Sequence, residues 1–224
     1  MGSKNKLKRF RENETFSNVI QPTRANLIDG FKLNGKWHTF FKNDNPISLE
    51  LGCGKGEYSL ALARLYPNRN FIGIDIKGAR FWRGAKTALE EGIDNVAFIR
   101  TQIELIDLCF AKNEIAEIWI TFPDPQIKFK RTKHRLTNPT FLKKYYSILV
   151  NDGVIHLKTD SEFLHGYTLG LIETQGHELL YSHHDVYRNP HAPKEAILTQ
   201  TFYEKQFLEK KKPITYLKFK PHFK

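Results

Sequence analysis

Asp124 stands between Pro123 and Pro125, and a dense basic run follows: Lys128, Lys130, Arg131, Lys133, His134 and Arg135, six basic or imidazole side chains in eight residues. Two prolines fix the backbone on either side of the acid, so its carboxylate is held rather than free to wander. A rigid turn with a solvated Asp would also read Pro-Asp-Pro, but the basic run argues for more, because its side chains would neutralise phosphates. A fixed carboxylate at the edge of such a run suits a nucleic-acid base as substrate. A second cluster lies upstream, where Glu50 precedes Gly52, Gly54 and Gly56, and Asp75 closes the next apolar segment. Glycines let the backbone approach a ligand and adopt positive φ, and a helix starting near Glu57 would offer it free N–H groups. A dinucleotide fingerprint would need one more residue before its third glycine, and no Gly-Lys-Ser/Thr phosphate loop is present.

These groups need elements to hold them. Residues 47–51 read as a strand, 57–66 as a helix stopped by Pro67, 70–75 as a strand, 79–91 as a helix, 96–100 as a strand, and 115–122 as a strand running into Asp124. Asn138-Pro139 opens a helix over 140–149; then come a strand at 153–158, a helix at 162–174 and a strand at 177–183, with a last helical turn at 203–211 and a closing strand at 215–219. Alternating strands and helices imply a mostly parallel sheet with right-handed crossovers. In such a sheet ligands bind beyond the carboxyl ends of the strands, where both clusters fall. Residues 1–46 are polar, basic and weakly periodic; they read as a basic N-terminal arm with a short helix at 23–31, and 47–224 as one domain.

The chain of 224 residues, 40% hydrophobic, can bury one core. Its 35 Lys+Arg against 24 Asp+Glu give +11. Residues 125–146 hold seven basic side chains and no acidic one, and the rest of the excess lies in 1–46 and 191–224, which points to a polyanionic partner. Cys53 and Cys109 form no Cys/His cluster, so a disulfide framework and a structural zinc are excluded, no metal is expected, and a reducing, cytoplasmic setting fits. No apolar run approaches the roughly 18 residues of a membrane span. Trp37, Trp82 and Trp119 read as packing, His38, His165, His183 and His184 as surface or satisfied core, and Lys210–Lys212 as a solubilising tail or an outer phosphate contact.

The Glu-x-Gly-x-Gly-x-Gly pattern of Glu50, Gly52, Gly54 and Gly56, with Asp75 ending the second strand, resembles the class I S-adenosylmethionine-dependent methyltransferases. That resemblance implies that 47–224 is an S-adenosylmethionine-dependent methyltransferase domain with a Rossmann-like α/β fold, a mostly parallel seven-stranded sheet with helices on both faces, S-adenosyl-L-methionine as cofactor, and Asp75 accepting from ribose hydroxyls. Taken with Phe122–Gln126, Lys128–Arg135, Lys158-Thr159-Asp160 and Thr201–Glu204, the chain from about 47 to 219 resembles the bacterial tRNA (guanine-N7)-methyltransferases. This family implies methyl transfer to N7 of a guanine in the variable loop of tRNA. By the resemblance, Glu50, Gly52, Gly54, Gly56, Asp75, Gln102 and Asp124 contact the cofactor, and Asp124 is catalytic. Lys128, Asp160, Thr201, Phe202, Tyr203 and Glu204 belong to the substrate site, and Lys130, Arg131, Thr132, Lys133, His134 and Arg135 contact RNA. The implied partner is tRNA, with no membrane and no obligatory protein partner, the protein being a monomer or homodimer.

Three positions depart from the family pattern: Gln126 replaces a tryptophan, Gln102 an aspartate, and His134 the first of two arginines. Guanine N7 has an in-plane lone pair and needs no deprotonation, so orientation matters more than a general base. Asp124 is expected beside the positive charge that develops on the ring, with Asp160 and Glu204 accepting from the guanine N1–H and 2-amino edge. An amino-methyltransferase would want Asn/Asp-Pro-Pro-aromatic at 124–127, where this chain has Asp-Pro-Gln-Ile. A dehydrogenase and an RNA-binding protein with a vestigial cofactor fold are the other readings; cofactor binding separates the latter.

Overall fold

The computed structural model describes residues 3–223. Among them eight strands alternate with helices: β1 (Val19–Ile20), β2 (Ile47–Leu51), β3 (Asn70–Ile74), β4 (Val96–Ile99), β5 (Ile115–Thr121), β6 (Leu149–Thr159), β7 (Glu178–His183) and β8 (Thr215–Lys220). The α-helices are α1 (Ser3–Thr15), α2 (Arg24–Ile28), α3 (Trp37–Phe41), α4 (Glu57–Leu65), α5 (Gly78–Glu90), α6 (Ile106–Cys109), α7 (Pro139–Ile148), α8 (Glu162–Gln175), α9 (Lys194–Ile197) and α10 (Phe202–Glu209). The strands form one sheet in the order β1-β4-β3-β2-β5-β6-β8-β7. β8 runs antiparallel to both its neighbours, and the other pairings are parallel. No helix of the described residues is long and apolar enough to cross a membrane.

Local chemistry explains the boundaries. Asn138 caps α7 by accepting from the N–H groups of Thr140 and Phe141, with Pro139 in the first turn, where no N–H is needed. Ser161 caps α8, which ends at Gly176 in the left-handed region. Every residue of β2 and β3 is buried, because helices cover both faces of the sheet. Ser48 and Glu50 are therefore buried polar groups that must find partners inside the protein.

The sheet has one strand more than the expected seven. The extra one, β1, pairs Val19 with Phe98 and Ile20 with Ile99, covering the otherwise open edge of β4. Two residues are too few to carry a periodic signal. The segment expected as an arm is thus woven into the body. Asn13 and Asn18 donate to the Gly78 and Ala85 carbonyls of α5 at 2.9 and 3.0 Å. Fully buried Trp37 donates to the Cys109 carbonyl at 3.1 Å and stacks on Phe110.

The chain passes from β2 outward through β3 to β4, then crosses to β5 and β6 on the other side. Sheet order thus reverses between β2 and β5, opening a crevice at their carboxyl ends. The glycine loop leaves β2 there, and the Asp124 segment leaves β5.

Candidate active site

The glycine loop is pinned by backbone. The N–H groups of Gly52 and Cys53 both donate to the Ile74 carbonyl, at 2.8 and 3.0 Å, fastening the loop to the end of β3. Gly52, Gly54 and Gly56 all have positive φ. At Gly56 a Cβ would lie 2.5 Å from the Phe98 ring, and one at Gly84 of α5 would lie 2.7 Å from the Lys55 carbonyl, so the loop and α5 meet through two glycines. Over Gly52 the space a Cβ would take is open. The Asp75 carboxylate borders this loop, accepting from Gly54 N at 3.1 Å and Lys77 N at 2.8 Å. Exposed Gln102 follows β4 and caps nothing with its side chain.

Glu50 faces inward beneath the loop. One oxygen accepts from Ser59 N and Oγ at 2.9 and 2.5 Å, the other from Thr121 Oγ1 at 2.8 Å. It thereby joins β2 to the first turns of α4 and to the last residue of β5. Burial pushes its pKa from 4.5 up to about 7 despite these hydrogen bonds.

Beyond β5 the backbone takes positive φ at Phe122 and Gln126, which frame Asp124. Phe122 N donates to the Lys158 carbonyl at 2.8 Å, and the exposed Asp124 carboxylate accepts from Gln126 N at 3.1 Å. A cavity of about 580 Å3 opens here, and its lining unites Asp124 with Asp160 and Tyr203. The lining residues that were not anticipated include Arg80, Ser161, Phe207 and Lys212. Arg80 lies in the first turn of the helix after Asp75, the only sequence signal it offered. Lys212, expected in a solubilising tail or at an outer phosphate, lies 3.4 Å from Asp160.

Other expected substrate residues are placed differently. Glu204 is fully buried: Lys158 Nζ lies 2.5 Å from its Oε1, Tyr187 OH donates to that oxygen at 2.6 Å, and Thr201 N donates to Oε2 at 3.3 Å. Thr201 and Glu204 form a capping box at the start of α10. This corrects the expectation that Glu204 reads the guanine edge, because its carboxylate is already occupied in the core. Phe202 turns to the glycine loop, its N–H donating to Glu57 at 2.8 Å and its ring lying 3.6 Å from Lys55 Nζ.

The basic run forms a 3-10 turn over Phe129–His134 that starts after exposed Lys128. Lys130, Arg131, Lys133 and His134 are exposed, while Thr132 is half-buried and donates to the Phe129 carbonyl at 2.7 Å. Arg135 is only 5% exposed. It donates to the carbonyls of Gln126 and Ile127 at 3.2 and 3.3 Å, and its guanidinium lies over the rings of Phe163 and Tyr167. It was expected at an RNA phosphate; it faces inward and holds the Asp124 segment from below.

A family model described as a putative methyltransferase matches residues 44–217. A Christiangramia forsetii protein named tRNA (guanine-N(7)-)-methyltransferase is 71% identical over 222 residues, covering 98% of this chain and 99% of that one. The chain belongs to the tRNA (guanine-N7)-methyltransferase family. A Porphyromonas gingivalis family member of the same name is 51% identical over 92% of this chain and 85% of its own length. The 16S rRNA (adenine(1408)-N(1))-methyltransferase from Catenulisporales acidiphilia has a TM-score of 0.61 at 13% identity, over 87% of this chain and 97% of that one, a likeness of fold. The site fits the S-adenosyl-L-methionine that the family's fold implies: an open space above Gly52, a loop in which three of five residues are glycine and a carboxylate at its rim suit a nucleoside approached closely by backbone.

Proposed function

We infer that the protein transfers the methyl group of S-adenosyl-L-methionine to N7 of a guanine in tRNA, within its variable loop. The observation that carries this reading is the cavity shared by Asp124, Asp160 and Tyr203 at the exit of β5, followed directly in the chain by an exposed basic turn.

S-adenosyl-L-methionine supplies an electrophilic methyl group when bound; Gly52, Gly54, Gly56 and Asp75 would hold it, with Gln102 at the edge of the site. The chain's own task is mainly orientation. N7 carries its lone pair in the plane of the ring, so no residue has to remove a proton, and fixing N7 in line for attack can supply on the order of 7 kcal/mol of the barrier. Asp124, held by flanking prolines and by Gln126 N, places negative charge where the purine becomes positive. Asp160 accepts from the guanine N1–H and 2-amino group, while adenine would meet that carboxylate with the N1 lone pair. Tyr203 provides an apolar wall, and Lys212 holds the Asp160 carboxylate. Lys128, Lys130, Arg131, Lys133 and His134 meet the phosphates.

Incubating the protein with cofactor and unmodified total tRNA, followed by mapping of methylated nucleotides, tests the assignment. It predicts N7-methylguanosine at one variable-loop position. Methylation of adenine, or of guanine at an exocyclic or ring position other than N7, would overturn it.

A further inference from the structure

We propose that Ile127 and Phe129 form an apolar wedge that stacks on an unpaired tRNA base next to the target guanine and so keeps the guanine out of its own stack. This rests on the tRNA reading above.

Phe129 is 93% exposed and Ile127 65%. Single apolar side chains on a surface are ordinary; three observations set this pair apart. The first is position: Ile127 lines the cavity that holds Asp124, and Phe129 opens the turn immediately after it. The second is charge, for the two alternate with exposed Lys128 and Lys130 and are followed by Arg131 and Lys133, so the partner that reaches the ring is polyanionic. A partner that combines phosphates with flat apolar faces is a nucleic-acid strand with its bases unpaired.

The third observation is rigidity. Arg135 grips the Gln126 and Ile127 carbonyls from inside, Thr132 Oγ1 ties the Phe129 carbonyl, and Arg131 N donates to the Lys128 carbonyl at 2.8 Å. The exposed side chains therefore stand on an anchored backbone, so only their side-chain torsions remain to be fixed when a base stacks on them. A base enters a carboxylate-lined pocket only after leaving its neighbours, and filling the gap beside it with an apolar side chain lowers the cost of that step.

The test uses the full chain with an unmodified tRNA transcript and compares Phe129→Ala, Phe129→Trp and Ile127→Ala in single-turnover methylation and in tRNA binding across a salt series. Phe129→Ala should slow methylation and weaken tRNA binding by about ten- to hundredfold together, the range measured for base–aromatic stacking. Phe129→Trp should remain within about threefold of the unaltered protein, and Ile127→Ala should fall between. The slope of log K against log salt should not change, since no charge is removed, and cofactor affinity and melting temperature should hold. Phe129→Ala within about twofold of the unaltered protein, a loss that Trp does not restore, or an altered salt slope would overturn the wedge. Should the unaltered protein bind tRNA yet leave guanine unmethylated, the functional reading fails separately, and the binding series alone then decides the wedge.

Discussion

Lys158 of β6 and Glu204 of α10 meet at 2.5 Å with both side chains fully buried. Burial depresses the lysine pKa and the Glu204 carboxylate opposes that shift, while the ammonium also donates to the Thr199 carbonyl and the Tyr187 hydroxyl. The pair fastens α10, and with it Phe202 and Tyr203, to the sheet beside the crevice. Glu204→Ala should therefore cost about 3–5 kcal/mol of stability, because it strands a buried ammonium. Urea unfolding reads this out, and Lys158→Met combined with Glu204→Leu should recover much of the loss. A Glu204 that served only to read guanine would leave the unfolding midpoint unchanged.

Arg135 and Lys130 lie in one basic run but should behave oppositely in salt titrations of tRNA binding. Lys130→Ala should lower the slope of log K against log salt by about 0.7–0.9, one phosphate contact. Arg135→Ala should leave the slope near that of the unaltered protein while lowering kcat, since it frees the Gln126 and Ile127 carbonyls and loosens the Asp124 segment. A slope change for Arg135→Ala with intact kcat would make it a phosphate contact after all.

Asp124→Asn should reduce turnover by on the order of a hundredfold, the scale of losing one charge-stabilising group at a reacting centre. S-adenosyl-L-methionine affinity, measured calorimetrically, should change only severalfold. Loss of cofactor binding with turnover preserved at saturating cofactor would reverse the assignment.

Glu50 makes stability depend on pH in an unusual direction. Its folded pKa of about 7 lies above the ordinary value of 4.5, so the folded state holds the proton more tightly. Its contribution to stability is complete below about pH 4.5 and is lost as pH rises toward 7, by about 3 kcal/mol at most. Unfolding free energies at pH 5 and pH 8 should differ less in Glu50→Gln than in the unaltered protein. An equal difference in both would show that Glu50 ionises normally.

The carboxyl end of the sheet was readable because its signals are local. Glycines at 52, 54 and 56 can take positive φ where larger residues are strained, prolines at 123 and 125 restrict the backbone around Asp124, and alternating strands and helices imply that both loops leave the same edge. Asp124, Asp160 and Tyr203 do share one cavity. The N-terminal segment was harder to read, since its two-residue strand and buried Trp37 depend on β4 and α6, which the surrounding polar composition does not announce.

Residue type and spacing by themselves determined the family, seven of the eight strands and the loops that carry glycine, proline and carboxylate. Tertiary structure alone decided which charged side chains face inward. Arg135 and Lys133 are equivalent in a basic run, and only the rings of Phe163 and Tyr167 on α8 and two loop carbonyls draw the first into the protein. Glu204 and Asp160 are both acids near the cavity, but Lys158, 46 positions before Glu204 in sequence, claims the former. Backbone conformation responds to neighbours along the chain, whereas the balance between desolvating a charge and pairing it is set by whatever the fold brings beside it.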